Sequence, residues 1–158
     1  MLFDLPAVAE QARVRLAAAG LSERVAVFGG DFRTDALPTG ADIVSLVRVI
    51  HDHDDEMALA ILRAARAALP DHGTLLLAEP LSGTAGGEPI GAAYFGFYLL
   101  AMGSGRARSF PELKSLLHSA GFAAARLLPG GNPLLTSVIV ARAVPAGPAV
   151  SQFIDRRL

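Results

Sequence analysis

The sequence predicts an α/β domain built on a mostly parallel sheet with covering helices, and three observations lead there. Short β-branched or leucine-rich runs alternate with stretches of helical periodicity in the order βαββαβ, followed by helices and two more strands. Two of these runs, Arg24 to Phe28 and Asp42 to Val49, lack the apolar/polar alternation of a half-exposed strand, so burial on both faces is expected. Polar residues collect where the runs end: Gly29-Gly30-Asp31 after one, and His51-Asp52-His53-Asp54-Asp55-Glu56 after the other. In open α/β sheets ligands bind at the carboxyl ends of the strands, which makes the second cluster the first candidate for chemistry.

Taken in order, a first strand ends at Asp4, and Pro6 opens a helix that runs to Ala19 with Val8, Ala12, Leu16 and Ala19 on its apolar face and Gly20 beyond its end. The strand from Arg24 to Phe28 follows, then the longer one from Asp42 to Val49. Asp54 or Asp55 can cap the next helix, whose apolar face is Leu59, Leu62, Ala65 and Leu69 and which Pro70 stops. Thr74 to Glu79 reads as a buried strand. A loop containing Gly83, Gly86 and Gly87 leads to an apolar helix from Ile90 to Met102, and Ser109-Phe110-Pro111-Glu112 has the capping-box pattern of a helix that closes at Gly121. Strands near Phe122 to Leu128 and Leu134 to Ala141 complete the pattern. Residues 1–143 read as a domain or part of one, and 144–158, rich in Pro, Gly and Ala, as a tail.

A chain of 158 residues with 52% hydrophobic residues can bury a real core. Its net charge of -1, with Lys and Arg scattered along the chain, gives no general attraction to nucleic acid or anionic lipid. The absence of Cys excludes disulfides, thiolate nucleophiles and Cys-ligated zinc. Met1-Leu2-Phe3-Asp4 has neither the basic region nor the apolar stretch of a signal peptide, so a cytoplasmic location is expected. The longest apolar stretch, Ile90 to Met102, is short of the roughly 20 residues that a membrane span needs.

His51 is a candidate general base, because an imidazole with a pKa near ~6.5 can accept a proton at neutral pH. Glu79, at the end of a strand on the same presumed edge, is a candidate carboxylate to orient it. A plainer reading makes His51 and His53 solvated loop residues and the Asp pair a helix cap. A metal reading also exists: His51-x-His53-x-Asp55 resembles the start of the His-x-His-x-Asp-His motif of metallo-β-lactamase-like hydrolases, with Glu56 in place of the last His. Asp31 with Phe32 could receive and flank a nucleoside base, or could simply form a turn. Asp4 could hold a ribose, or cap the helix that starts at Pro6. Tyr94, Phe95, Phe97 and Tyr98 could line a pocket for an apolar substrate, or could be core. The glycines from Gly83 to Gly87 lack the spacing of a phosphate cradle.

Phe3-Asp4-Leu5-Pro6, Gly30-Asp31-Phe32, Arg48-Val49-Ile50-His51-Asp52, Ala78-Glu79-Pro80 and Ala120-Gly121-Phe122 occur in an order and spacing that resemble the S-adenosylmethionine-dependent O-methyltransferases of the plant caffeate and bacterial type. Within that family, the stretch from Ala93 to Gly105 and the His-Asp-His at 51–53 resemble the carotenoid-methylating branch of purple phototrophic bacteria. The resemblance implies a Rossmann-like class I methyltransferase sheet, with S-adenosyl-L-methionine as cofactor and a hydroxylated carotenoid or similar small apolar alcohol as substrate. It implies His51 as the base and Glu79 as the carboxylate that steers it. Asp4 would then lie at the ribose, Asp31 and Phe32 at the adenine, and Tyr94, Phe95 and Tyr98 at the substrate. A second steering carboxylate of the family falls at Ala107, and its Lys before the His falls at Val47, so both supports are lost. For the full-length protein the resemblance implies a homodimer, and for an apolar substrate it implies peripheral contact with a membrane.

The family also has a strand with a Gly-rich loop before Phe3-Asp4-Leu5-Pro6, and before that a helical dimerisation domain; neither is in this sequence. The resemblance places the missing strand between the one ending at Asp4 and the one ending at His51. The sheet is therefore expected to be truncated, with two unpaired edges in its middle and poor binding of S-adenosylmethionine by the chain alone. The alternatives are a non-catalytic remnant that serves as an interaction module, or a metal-dependent hydrolase using His51, His53 and Asp55.

Overall fold

The computed structural model describes residues 1–83, 103, 105–129 and 136–145. Strand β1 (Leu2–Asp4) pairs in parallel with β2 (Val27–Gly29), Phe3 opposite Phe28. Helix α1 (Pro6–Ala18) crosses between them. Proline at its first turn costs no hydrogen bond, because that amide has no partner in any helix. The helix ends as Gly20 turns into the left-handed region at φ +69°.

Two expectations change here. The inward face of α1 is Ala9 with Ala12 and Leu16, whereas Val8 and Ala19 are exposed. The strand decides this: the end of β2 comes so close to the helix that a methyl on Gly29 would lie 3.1 Å from Pro6 Cα and 3.7 Å from Ala9 Cβ, so the small residue at 9 faces it. β2 is also shorter than the run from Arg24 to Phe28, because Arg24 closes a turn by donating its amide to the Leu21 carbonyl at 3.0 Å.

The second sheet has the order β3-β4-β6-β5, from β3 (Ile43–Val47), β4 (Thr74–Glu79), β5 (Phe122–Leu127) and β6 (Ser137–Ala143). β3 and β4 are parallel, in register from Ile43 opposite Thr74 to Val47 opposite Ala78. β6 runs antiparallel to both β4 and β5, so the last two strands return as an antiparallel pair rather than extending the parallel sheet. Among the described residues no strand lies between β1 and β3, which is where the resemblance leaves its gap.

Burial on both faces is not found for β3, where Ile43 is 61% and Val47 59% exposed. β2 likewise leaves Phe28 exposed. The physical reason is the edge: among the described strands β3 pairs with β4 alone, while α1 packs on β1 and β2.

β4 is the centre of the core. Helix α2 (Asp55–Ala68) lays Ala58, Ile61, Leu62 and Ala65 against Leu75 and Leu77, and helix α3 (Phe110–Ser119) adds Leu113 and Leu117 beside Ile139 and Phe122. Full burial of each Leu, Ile or Phe stabilises by about 1.5–3 kcal/mol. Ile61 takes the inward place expected of Leu59, which is half-buried. Asp54 caps α2 by accepting the Met57 amide at 2.9 Å. The capping box of α3 is formed, with the Glu112 carboxylate accepting from the Ser109 amide at 2.8 Å and the Ser109 hydroxyl at 2.7 Å.

Among the described residues no helix is long and apolar enough to cross a membrane. The predicted helix Ile90 to Met102, with Tyr94, Phe95 and Tyr98, lies outside the described residues, as does most of the predicted tail.

Candidate active site

The parallel pairing of β3 with β4 fixes the site. The Arg48 amide donates to the Ala78 carbonyl at 2.8 Å, and Arg48 itself then takes φ +54°, an uncommon conformation for a residue with a side chain. That turn ends the strand and points the next two amides at the neighbouring strand end. Glu79 Oε1 accepts from the Val49 amide at 3.0 Å and the Ile50 amide at 2.8 Å. Its Oε2 lies 2.8 Å from His51 Nδ1. His51 is 3% and Glu79 1% exposed, so this is a buried pair.

A buried carboxylate is stable only where its charge is met by donors, and here two amides and an imidazole meet it. Being an acceptor on both oxygens, the carboxylate selects the tautomer with the proton on Nδ1 and leaves Nε2 as the basic nitrogen. Nε2 lies 3.2 Å from Asp52 Oδ1, so positive charge gained by the ring would lie between two carboxylates.

His51 belongs to a single 3-10 turn, Ile50–Asp52, which is held from its other side. Arg108 is 2% exposed, and its guanidinium donates from one nitrogen to the Ile50 carbonyl at 2.9 Å and from another to the His53 carbonyl at 2.8 Å. The third nitrogen, Nε, reaches Asp55 Oδ1 at 2.8 Å, and Arg106 reaches Asp55 Oδ2 at 3.0 Å. Those two arginines, Arg106 the more strongly, hold the Asp55 carboxyl below its ordinary range. Sequence reasoning missed Arg108. An arginine two residues after another, just before a helix cap, carries no local mark of burial.

Other predicted residues gather at the ends of β1 and β2. A cleft of about 280 Å³ between β1 and β3 is lined by Phe3, Asp4, Phe32 and Val49, among others. A second of about 390 Å³ shares Leu5 and Phe32 with it and is lined also by Asp31, Arg33, His53 and Met57. Asp4 is not the cap of α1: the capping residue is Leu5, and the Asp4 carboxylate accepts the Leu5 amide at 2.8 Å. Asp31 sits in a turn, as its plainer reading has it, and also at the second cleft. Hydrogen bonds from the Arg33 side chain and amide lower its pKa to about 2. The Phe32 ring meets His53 edge to face, with centroids 5.5 Å apart and planes at 78°. One aromatic contact therefore joins the Asp31 turn to the loop that carries His51.

The metal triad is not assembled. His53 packs on Phe32, Asp55 is held by two arginines, and among the described residues no group of His, Cys, Asp and Glu could hold a metal ion.

An acid, an aromatic ring and a carboxylate-held imidazole thus gather at the carboxyl ends of the strands, where α/β sheets bind their ligands. Residues 1–123 match the O-methyltransferase domain family, and the chain belongs to it. It is 47% identical over 141 residues to the demethylspheroidene O-methyltransferase of Cereibacter sphaeroides, covering 89% of this chain and 37% of that protein. The crystal structure of LaPhzM superposes with a TM-score of 0.81 at 36% identity, covering 90% of this chain and 42% of that one. Human N-acetylserotonin methyltransferase in complex with SAM gives a TM-score of 0.76 at 28% identity, covering 90% and 39%. The chain thus spans less than half the length of the relatives it matches.

Proposed function

We propose that this chain carries the general base and part of the methyl-donor site of an S-adenosylmethionine-dependent O-methyltransferase acting on a hydroxyl of a small apolar molecule. The observation that carries the reading is the buried His51–Glu79 pair, whose carboxylate is fixed by two backbone amides. The name of the Cereibacter relative supports a hydroxylated carotenoid as the substrate.

The donor set suits the cofactor. A carboxylate at the end of β1 whose partner is one local amide, Asp4, can accept from ribose hydroxyls, and Phe32 offers an aromatic face beside Asp31. When bound, S-adenosylmethionine supplies an electrophilic methyl group on a positively charged sulfur. His51 Nε2 would take the proton of the substrate hydroxyl as that oxygen is methylated. Glu79 and Asp52 stabilise the imidazolium so formed. Tyr94, Phe95 and Tyr98 are assigned to the substrate on sequence alone. Arg48 leaves the strand at the position beside the lost Lys, so activation of a weakly acidic alkyl alcohol rests chiefly on proximity and on this base.

A second reading, a non-catalytic remnant used as an interaction module, is favoured by β1 and β3 each pairing with a single strand among the described residues. One assay separates the two. Methyl transfer from labelled S-adenosylmethionine to a hydroxylated carotenoid is measured with the chain alone, and again with the part of the Cereibacter relative outside the matched region supplied in trans. Transfer that falls by about 10²–10⁴-fold in His51→Ala supports the base. Transfer unchanged by that substitution removes it, and no transfer in either setting supports the remnant.

A further inference from the structure

We infer that the segment from Gly105 to Arg108 sets the position of the His51 imidazole through the backbone of its turn, and that Arg108 is a positioning residue of this site. Neither residue acts by touching the ring. Arg108 spans the turn: its guanidinium bonds the carbonyl of Ile50, just before His51, and the carbonyl of His53, two residues after it. Asp55, at the start of α2, fixes the same guanidinium through Nε, so the turn is tied to a helix that belongs to the core.

The segment is itself anchored. The Arg108 carbonyl accepts the Ser82 amide at 3.0 Å, and Arg108 forms a bridge with Leu81 just beyond β4. The strand bearing Glu79 and the turn bearing His51 are therefore linked by the Glu79 carboxylate, through the His51 ring and the Ile50 amide, and again through Arg108. A planar fork can serve two carbonyls and a carboxylate at once; the ammonium of Lys is a single point on a flexible stem and cannot reproduce that geometry.

Gly105 meets the backbone of the same turn. It has φ +89°, and a methyl at its α-carbon would overlap the His51 carbonyl oxygen and come 2.6 Å from the Asp52 carbonyl carbon. The backbone of the turn thus rests directly on Gly105, at a distance only glycine allows.

The inference rests on His51 as the base, but its test reads the ring without turnover. Long-range proton–nitrogen NMR of the histidine rings in the whole chain reports whether His51 keeps its proton on Nδ1, and core methyl signals report folding. Wild type shows the single Nδ1–H tautomer. Arg108→Lys, with its core signals intact, gives a mixed or exchange-broadened His51 ring, and Gly105→Ala does the same by displacing the His51 and Asp52 backbone. In the methyl-transfer assay above, both variants lose about 10²-fold in kcat with KM within about twofold, the size expected for a misplacement of about 1 Å. A purely structural role would lower the melting temperature and leave the tautomer fixed. If Arg108→Lys does not fold, Gly105→Ala decides. A folded variant that keeps the wild-type His51 ring signals overturns the inference, whereas failure of His51→Ala to lower turnover would overturn the base and leave this NMR result standing.

Discussion

Replacing Glu79 by Gln separates the orientation of His51 from the integrity of the fold. In the wild type one oxygen of Glu79 accepts two backbone amides, at 3.0 and 2.8 Å, and the other faces His51 Nδ1 at 2.8 Å. The Gln carbonyl can keep both amides, which places its NH2 group against Nδ1. Two donors cannot share that contact, so the imidazole takes the other tautomer, with its proton on Nε2, and loses its base. Stability changes little by comparison: exchanging charged for neutral acceptors weakens each bond by roughly half, a loss of about 1–3 kcal/mol in all. Glu79→Ala differs in kind. It leaves two amides and a ring nitrogen buried without acceptors, at about 1–3 kcal/mol each, which approaches the whole stability of a domain at about 5–15 kcal/mol. Glu79→Gln is therefore expected to fold, to melt a few degrees lower and to show His51 with Nε2–H by NMR. Methyl transfer should fall by about 10²–10⁴-fold, in line with other sites where a carboxylate-to-amide change imposes the wrong tautomer. Retention of the Nδ1–H tautomer in a folded Glu79→Gln protein would refute the reasoning.

Asp4→Ala should leave the melting temperature within about 1 °C, since its hydrogen bond to the Leu5 amide is exposed and local, while weakening S-adenosylmethionine binding at least about tenfold by calorimetry. Glu112 has its pKa lowered to about 2 from 4.5, chiefly by the Arg106 side chain and then by Ser109. Because its folded value is the lower one, its stabilisation is complete above 4.5 and is lost as the pH falls toward 2. Acid unfolding of Glu112→Gln should accordingly be shallower in that window, and the difference should shrink in high salt because the group is exposed; identical acid limbs would count against the pairing. A methyl at Gly30 would lie 2.7 Å from the Phe3 ring, so Gly30→Ala should displace Phe3 and cost about 1–3 kcal/mol in urea unfolding.

Local pattern carried much of this protein into view. Pro6, Gly20, Asp54 and Ser109 with Glu112 act at helix ends through their nearest neighbours, so they read correctly from sequence. His51 and Glu79 were also legible, because parallel strands bring their carboxyl ends to one edge and both residues follow apolar runs. The inward faces of α1 and α2 were each misjudged at particular residues: Gly29 approaches Ala9, and Ile61 takes the inward place expected of Leu59. Those contacts are not encoded within either helix.

What the sequence by itself determined, then, is most of the described elements, several of their caps and the presence of a histidine beside a carboxylate at neighbouring strand ends. Only the tertiary structure decided how that imidazole is held. The amides of Val49 and Ile50 turn toward Glu79 because Arg48 leaves the strand with positive φ, and Arg108 reaches the same turn from a segment more than fifty positions away along the chain. It also decided which acids are engaged: Asp55 is drawn to two arginines and away from the metal triad its spacing suggests, while Asp4 is left facing a cleft. Spacing along a chain fixes which groups can share a helix face or a strand end. Bonds between segments remote in sequence depend on how the strands and helices pack, and no local periodicity records that.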